Sequence, residues 1–124
     1  MKRQSPLPTL SLDDLLARYV ELCVLREQAE RFRRIAKENR YITAIWAIEA
    51  ELKARPGDQR AALVRLFDHD NRQVRVQAAC TVSRFAPELA RPALDIIVKT
   101  GLAPYSYQAR ERLMFLDGEF PLPP

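Results

Sequence analysis

Apolar residues recur at helical spacing along most of the chain, most clearly near its N-terminus. Such a stripe is typical of an amphipathic helix that packs on a core. Ser11, followed three residues later by Asp14, has the capping-box pattern of a helix start, so we predict a first helix that begins at Leu12. Its apolar stripe consists of Leu12, Leu15, Leu16, Tyr19, Val20 and Cys23.

A second long helix is predicted before Arg55-Pro56-Gly57, which ends it. Residues 12–55 contain no glycine or proline, yet one helix of that length would be about 65 Å long. A compact domain of this size cannot contain it, so we expect a break in the polar stretch 26–31. Trp46 is the expected core anchor of the second helix, because its side chain is large enough to bury about 200 Å². Its other apolar residues are Ile35, Tyr41, Ile42, Ile45, Ile48 and Leu52.

Residues 58–85 have the pattern of a helical hairpin, in which two apolar stripes flank the polar turn Asp68-His69-Asp70-Asn71. Asp70 is the expected cap of the second helix, and Gln73 is placed to return the capping bond. A shift of 31 positions superimposes the apolar positions of this hairpin on those of the segment that follows. The matched pairs include Leu63 with Leu94, Leu66 with Ile97, Ala78 with Ala109, and Phe85 with Leu116.

The positions of glycine and proline predict where the helices of the second hairpin begin and end. The fifth helix is expected near residues 88–99, with Pro92 in its first turn and Gly101 as its stop. The sixth opens at Tyr105 or Ser106 and ends at Asp117-Gly118. We expect an extended arm at residues 1–10, a single all-α domain at 11–120, and a tail at 121–124. Phe120 and Leu122 are expected to fold back onto the last hairpin.

The run Asp68…Val74-Arg75-x-x-Ala78-Ala79 resembles the turn and second helix of HEAT-like repeats. This resemblance implies that the aspartate and arginine bracket the turn. We separately expect Arg75 to be internal and paired to Asp68 or Asp70. From about Leu12 to Phe120 the chain is similar to a small bacterial family of HEAT-like proteins of unknown function. Residues 38–41, 47–52 and 66–79 carry that similarity most strongly. It implies an all-α fold, an α-α superhelix of about six helices.

Composition excludes several protein classes and leaves others open. The chain has 124 residues with a formal charge of +4, a mild basic bias that permits an acidic partner or nucleic acid. Its N-terminus lacks the apolar stretch of a secretory signal, and no apolar run is long enough to span a bilayer. Cys23 and Cys80 fit no metal or redox spacing and are expected to be buried thiols. We expect a cytoplasmic protein.

No catalytic or metal-binding constellation emerges from the sequence. His69 is the one histidine, and a lone histidine between two aspartates lacks the ligand set that a transition metal requires. We interpret its segment as a solvated turn with capping aspartates. No nucleophile, histidine and acid set can be drawn. We therefore expect no enzyme activity and no cofactor.

Two groups of basic residues are the candidate partner-binding positions. Arg33, Arg34 and Lys37 belong to the densest positive run, although the interleaved glutamates would neutralise it through pairing at i,i+4. The second group lies on the second helices of the two hairpins. It consists of Arg72, Arg110 and Arg112.

We expect a non-enzymatic helical module that binds a protein, of immunity or regulatory type, with an acidic surface. The alternative is a HEAT-like protein that binds nucleic acid through a basic helical face. A modest charge and only two hairpins disfavour that alternative.

Overall fold

The regular structure is entirely helical in the computed structural model, which describes residues 5–119. Five α-helices and two 3-10 helices occur among those residues, and no strand. The all-α fold is therefore confirmed. The chain forms two compact units that divide between Ala62 and Leu63, called unit 1 and unit 2. No described helix combines the length and apolar character needed to cross a membrane. The α-helices are α1 (Leu12–Arg31), α2 (Ile35–Ala54), α3 (Arg72–Val82), α4 (Pro87–Lys99) and α5 (Tyr105–Leu116).

Unit 1 is built on α1 and α2, which pack against each other. The Ser11 hydroxyl accepts a hydrogen bond from the Asp14 backbone N–H at 3.1 Å, which confirms the predicted start of α1. α2 ends at Ala54, as the following proline and glycine indicate. The predicted stripe of α1 is also confirmed. Its buried members are Leu15, Leu16, Tyr19 and Cys23, and α2 buries Ile45, Ile48 and Leu52.

The expectation that Trp46 anchors the core is wrong, because 56% of its surface is exposed. The buried side of α2 is defined by Ile45, Ile48 and Leu52, at the spacing of one helical face. Trp46 follows Ile45 directly, and successive residues of an α-helix are about 100° apart around the axis. Its ring therefore projects beside the buried face rather than into it.

The N-terminal segment of unit 1 is held by two arginines. Residues Leu7–Thr9 form one turn of 3-10 helix, where extended backbone was expected. The Arg55 guanidinium donates to the Leu7 carbonyl at 3.1 Å and to the Leu10 carbonyl at 2.7 Å. Arg18 donates to the carbonyl of Ser5 at 3.2 Å. Residues 1–4 and the tail lie outside the described residues, as does the expected packing of Phe120 and Leu122.

The segment expected as the first helix of the first hairpin is a 3-10 helix, Gln59–Leu66. Just before it, Asp58 has left-handed backbone with φ 52°. Its carboxylate accepts hydrogen bonds from the Arg60 backbone N–H at 3.3 Å and from Arg60 Nε at 2.8 Å. Such local bonds from side chain to backbone compete with regular α-helix formation. The Arg60 bond also lowers the pKa of Asp58 below its usual value.

Unit 2 contains α3, α4 and α5, and α4 packs on both of the other helices. Ala78 and Ala109, which the 31-residue shift pairs, are both fully buried. Leu63 and Leu94 are fully buried as well. The shift therefore pairs positions with similar burial, which is what a packing repeat predicts.

Two details of unit 2 differ from expectation. Asn71, rather than Asp70, caps α3, and its side chain accepts the Val74 backbone N–H at 3.0 Å. Gln73 returns no capping bond, because its side chain is only 1% exposed and its amide has no partner among the described residues. α4 begins at Pro87, so Pro92 lies beyond its first turn, and the carbonyl four residues earlier receives no helical N–H.

Candidate functional site

The connection between α1 and α2 is a sharp turn without glycine. Arg34 donates its backbone N–H to the Ala29 carbonyl at 2.8 Å, and Arg33 donates to the Glu30 carbonyl at 3.1 Å. These are the two bonds of a Schellman motif, whose left-handed position usually holds glycine. Here Arg33 occupies it with φ 55°. The break thus falls at residues 32–34, just beyond the stretch 26–31 in which we expected it.

Two large apolar side chains are exposed at this turn. Phe32 follows the last residue of α1 and is 66% exposed, and Ile35 opens α2 and is 69% exposed. Ile35 was expected in the core, but it lies outside the face that α2 buries. Apolar side chains scattered singly over a surface are common, whereas neighbouring ones are typical of contact sites.

Cationic side chains surround these two residues. Residues 31–40, which we call the basic corner, contain five cationic side chains and one carboxylate, a net formal charge of +4. That value equals the formal charge of the whole chain, so the remaining residues are neutral in sum. The predicted neutralisation by interleaved glutamates applies to Arg31, whose guanidinium lies 3.8 Å from the Glu27 carboxylate.

The predicted site residues Arg33, Arg34 and Lys37 are all exposed. None of them forms an ion pair within the described part of the chain, and neither does Arg40. Because unpaired exposed cations retain their full attraction for an incoming carboxylate or phosphate, this corner is the strongest positive feature in the described part of unit 1.

An apolar stripe on α2 continues from the corner. Ile35, Ile42 and Trp46 are spaced by seven and four residues, which places them on one side of the helix. Ile42 is half-buried, while Ile35 and Trp46 are largely exposed. The stripe runs for about 16 Å at 1.5 Å per residue. Sequence periodicity assigned all three residues to the core. The position of the buried face of α2 shows that Ile35 and Trp46 face outward instead.

The second predicted group lies in unit 2, on α3 and α5, two helices that contact each other. Arg72 and Arg110 are exposed. Arg112 is half-buried, and its guanidinium carbon lies 5.6 Å from the centre of the Phe115 ring, a cation–π distance. Arg112 is therefore partly engaged within its own helix, which leaves Arg72 and Arg110 as the more accessible members of the group.

The turn before α3 has hydrogen bonding of its own. The Nδ1 atom of His69 accepts the Asn71 backbone N–H at 3.0 Å, so the imidazole takes part in the turn. No group of three or more metal-ligating side chains occurs among residues 5–119. The predicted ion pair of Arg75 with Asp68 or Asp70 is wrong. Arg75 forms no ion pair in the described structure. Its Nε is buried there without a hydrogen-bond partner, whereas Asp68 and Asp70 are both exposed.

A buried polar pair lies between the helices that carry the corner. The hydroxyl of Tyr19 on α1 donates to Oε2 of Glu49 on α2. Cys23, one turn along α1, is fully buried. Burial raises the pKa of its thiol from 9.0 to about 12; the nearby Arg26 opposes that rise and Glu49 adds to it. Such a thiol is protonated at neutral pH and is a poor nucleophile.

Comparison with known proteins identifies relatives without assigning an activity. A family model whose description is "Domain of unknown function (DUF2019)" matches residues 13–117. The crystal structure of the protein RPA1889 from Rhodopseudomonas palustris CGA009 is similar, with a TM-score of 0.88 and 36% sequence identity. The similarity covers 98% of this chain and 100% of that one. No curated protein matches the sequence.

Proposed function

The chain belongs to the DUF2019 family, and we propose that it is a non-enzymatic helical module that binds an acidic protein through the basic corner. The observation that carries this proposal is the coincidence of charge and apolar exposure at residues 31–40. The net formal charge of these ten residues equals that of the whole chain. Phe32 and Ile35, which lie among them, are the two most exposed large apolar residues in the described part of the chain.

The chemistry of the corner indicates the kind of partner. Binding sites commonly combine a few apolar anchors with surrounding groups that exclude water and set orientation. Here Phe32 and Ile35 are the anchors, and Arg33, Arg34 and Lys37 would attract carboxylates. A fitting partner therefore presents apolar side chains among aspartates and glutamates. Charge complementarity of this kind chiefly raises the association rate and the selectivity.

The backbone of the corner supports a role for the Arg33 side chain. A non-glycine residue with left-handed backbone costs roughly 1–2 kcal/mol, and such residues concentrate at functional sites. Arg33 has that conformation with φ 55°, at a position where glycine would serve the fold as well. Since the fold does not require arginine at this position, its guanidinium would serve to contact the partner.

The HEAT-like interpretation of the sequence agrees with such a role. Stacked helical hairpins give a rigid framework whose exposed side chains vary without disturbing the core. An immunity-type or regulatory binder is one form that this function would take. The cations of unit 2, Arg72 and Arg110, are the second candidate contact, and they serve as the control in the experiment below.

The test is quantitative affinity capture from a lysate of the source organism, with and without nuclease. The corner variant carries Arg33→Glu and Lys37→Glu, and the matched control carries Arg72→Glu and Arg110→Glu. Both variants change the net charge equally. We expect the wild type to capture an acidic protein whether or not nuclease is added. Added salt should release this protein, because salt screens surface charges. Only the corner variant should fail to capture it.

Two results would contradict the proposal. Loss of the captured protein from the control and not from the corner variant would move the contact to unit 2. Capture of material that nuclease removes, with a steep dependence on salt, would instead support the nucleic-acid alternative.

A further inference from the structure

Helix α4 of unit 2 has an exposed apolar seam that the basic corner does not involve. Leu89 is 50% exposed and Ile96 is 61% exposed, although both lie on a helix that packs on α3 and α5 through other residues. Pro92, between them, is exposed as well. The spacing of these three residues, by three and then four, is that of the seam along which two helices pack. The buried face of α4 is separate and consists of Ala90, Ala93, Leu94 and Ile97.

The charges on this exposed face have opposite signs at its two ends. Glu88 lies in the first turn of α4 and Lys99 is its last residue. Both side chains are exposed, and neither forms an ion pair within the described residues. The point midway between them falls between Ala93 and Leu94. The face is acidic at Glu88 and basic at Lys99, with Leu89, Pro92, Asp95 and Ile96 exposed between them, so the charges at its two ends are complementary in antiparallel orientation.

We propose that this face is a symmetric homodimer interface, in which α4 packs antiparallel on α4 of a second copy. A two-fold axis near residues 93 and 94 brings Glu88 of each copy to Lys99 of the other, so that two ion pairs flank the apolar centre. Two-fold interfaces are self-complementary by definition, and the charge order of α4 meets that requirement.

The size of the face indicates a weak and reversible dimer. Thirteen residues of helix span about 20 Å, which offers less area than the roughly 800 Å² per partner of a standard stable interface. Dimerisation should therefore depend on protein concentration and weaken as salt screens the end charges.

The test is analytical ultracentrifugation of the full chain over a wide concentration range, at low and moderate salt. Glu88→Lys and Lys99→Glu, made singly, place like charges together at both ends of the interface. Each should weaken dimerisation about tenfold or more, as removal of charge complementarity does at interfaces. The double variant, Glu88→Lys with Lys99→Glu, restores opposite charges and should dimerise nearly as the wild type does. Ile96→Asp should abolish dimerisation.

Two controls keep the outcome interpretable. Circular dichroism establishes that each variant is folded, since either single reversal also places an unfavourable charge at a helix end. Glu21→Lys, a charge reversal at an exposed position of α1, should leave dimerisation unchanged. A wild-type protein that is monomeric at all concentrations would overturn the proposal. So would a double variant no stronger than the singles, because the end charges would then act on the helix and not across an interface.

Discussion

The hydroxyl of Tyr19 donates a hydrogen bond to Oε2 of Glu49 at 3.1 Å, and this bond joins α1 to α2 inside unit 1. Tyr19 is fully buried, and Glu49 is 7% exposed. Because removing a carboxylate from water is costly, a buried glutamate requires hydrogen-bond donors. We infer that this pair helps to fix the alignment of the two helices that present the basic corner.

Replacing Tyr19 with phenylalanine tests that inference. The change keeps the ring and removes the donor to Glu49, so we expect a loss of about 1–3 kcal/mol of unfolding free energy. Tyr41→Phe is the matched control, because Tyr41 is half-buried on α2 and its hydroxyl has no such bond in the described structure. Urea unfolding of both variants measures the difference. Equal effects of the two substitutions would show that the bond contributes nothing specific.

Two adjacent residues of α2 should respond very differently to truncation. Ile45 is fully buried and Trp46 is mostly exposed, so Ile45→Ala should cost about 2–5 kcal/mol of stability and Trp46→Ala about 0.5 kcal/mol or less. Thermal or urea unfolding measures both. Trp46 is the only tryptophan, so its fluorescence in the native wild type should also be readily quenched by iodide. A shielded tryptophan, or a large cost of Trp46→Ala, would contradict the described face of α2.

The sequence predicted much of the fold, and its errors have physical causes. The stripe of α1 and the Ser11 cap were predictable because each depends on residues close together in the chain. Trp46 was misplaced because size suggests burial, whereas the position around the helix decides it. The break after α1 was placed too early because glycine marks such turns in most sequences, and Arg33 takes the glycine conformation here.

The conformation of Arg33 leads to a prediction that separates stability from binding. Arg33→Gly removes the left-handed strain of roughly 1–2 kcal/mol but adds the roughly 0.5–1 kcal/mol entropic cost of glycine. The variant should therefore be as stable as the wild type or up to about 1.5 kcal/mol more stable, while its capture of the acidic partner falls. Chemical unfolding and quantitative capture measure the two effects. A clearly destabilised variant would mean that the Arg33 side chain supports the fold.

The buried thiol of Cys23 predicts a specific loss of stability at high pH. Its pKa is raised from 9.0 to about 12 by burial, so the folded thiol stays protonated while the unfolded one ionises. The stabilisation is complete below pH 9 and is lost between about pH 9 and 12. Near pH 10 the loss should be about 1 kcal/mol. Urea unfolding at pH 8 and pH 10 should show a smaller fall for Cys23→Ala than for the wild type. Identical falls in both proteins would contradict this account of the thiol.

The candidate site was only partly predictable from sequence. Arg33, Arg34 and Lys37 could be named because cationic residues are dense there. Within the described residues they form no ion pairs, which could not be predicted, because the interleaved glutamates suggest neutralisation. Ile35 was assigned to the core by periodicity, and its exposure depends on where the buried face of α2 begins.

The most direct test of the basic corner is site-specific photocrosslinking in cells of the source organism. A photoreactive phenylalanine analogue replaces Phe32, which is 66% exposed at the corner, or Tyr107, which is 63% exposed on α5 of unit 2. We predict a crosslinked protein adduct from position 32 that resists nuclease and disappears when Arg33→Glu and Lys37→Glu are added. An adduct from position 107 and none from position 32, or a position-32 adduct that nuclease removes, would contradict the claim that this corner binds an acidic protein.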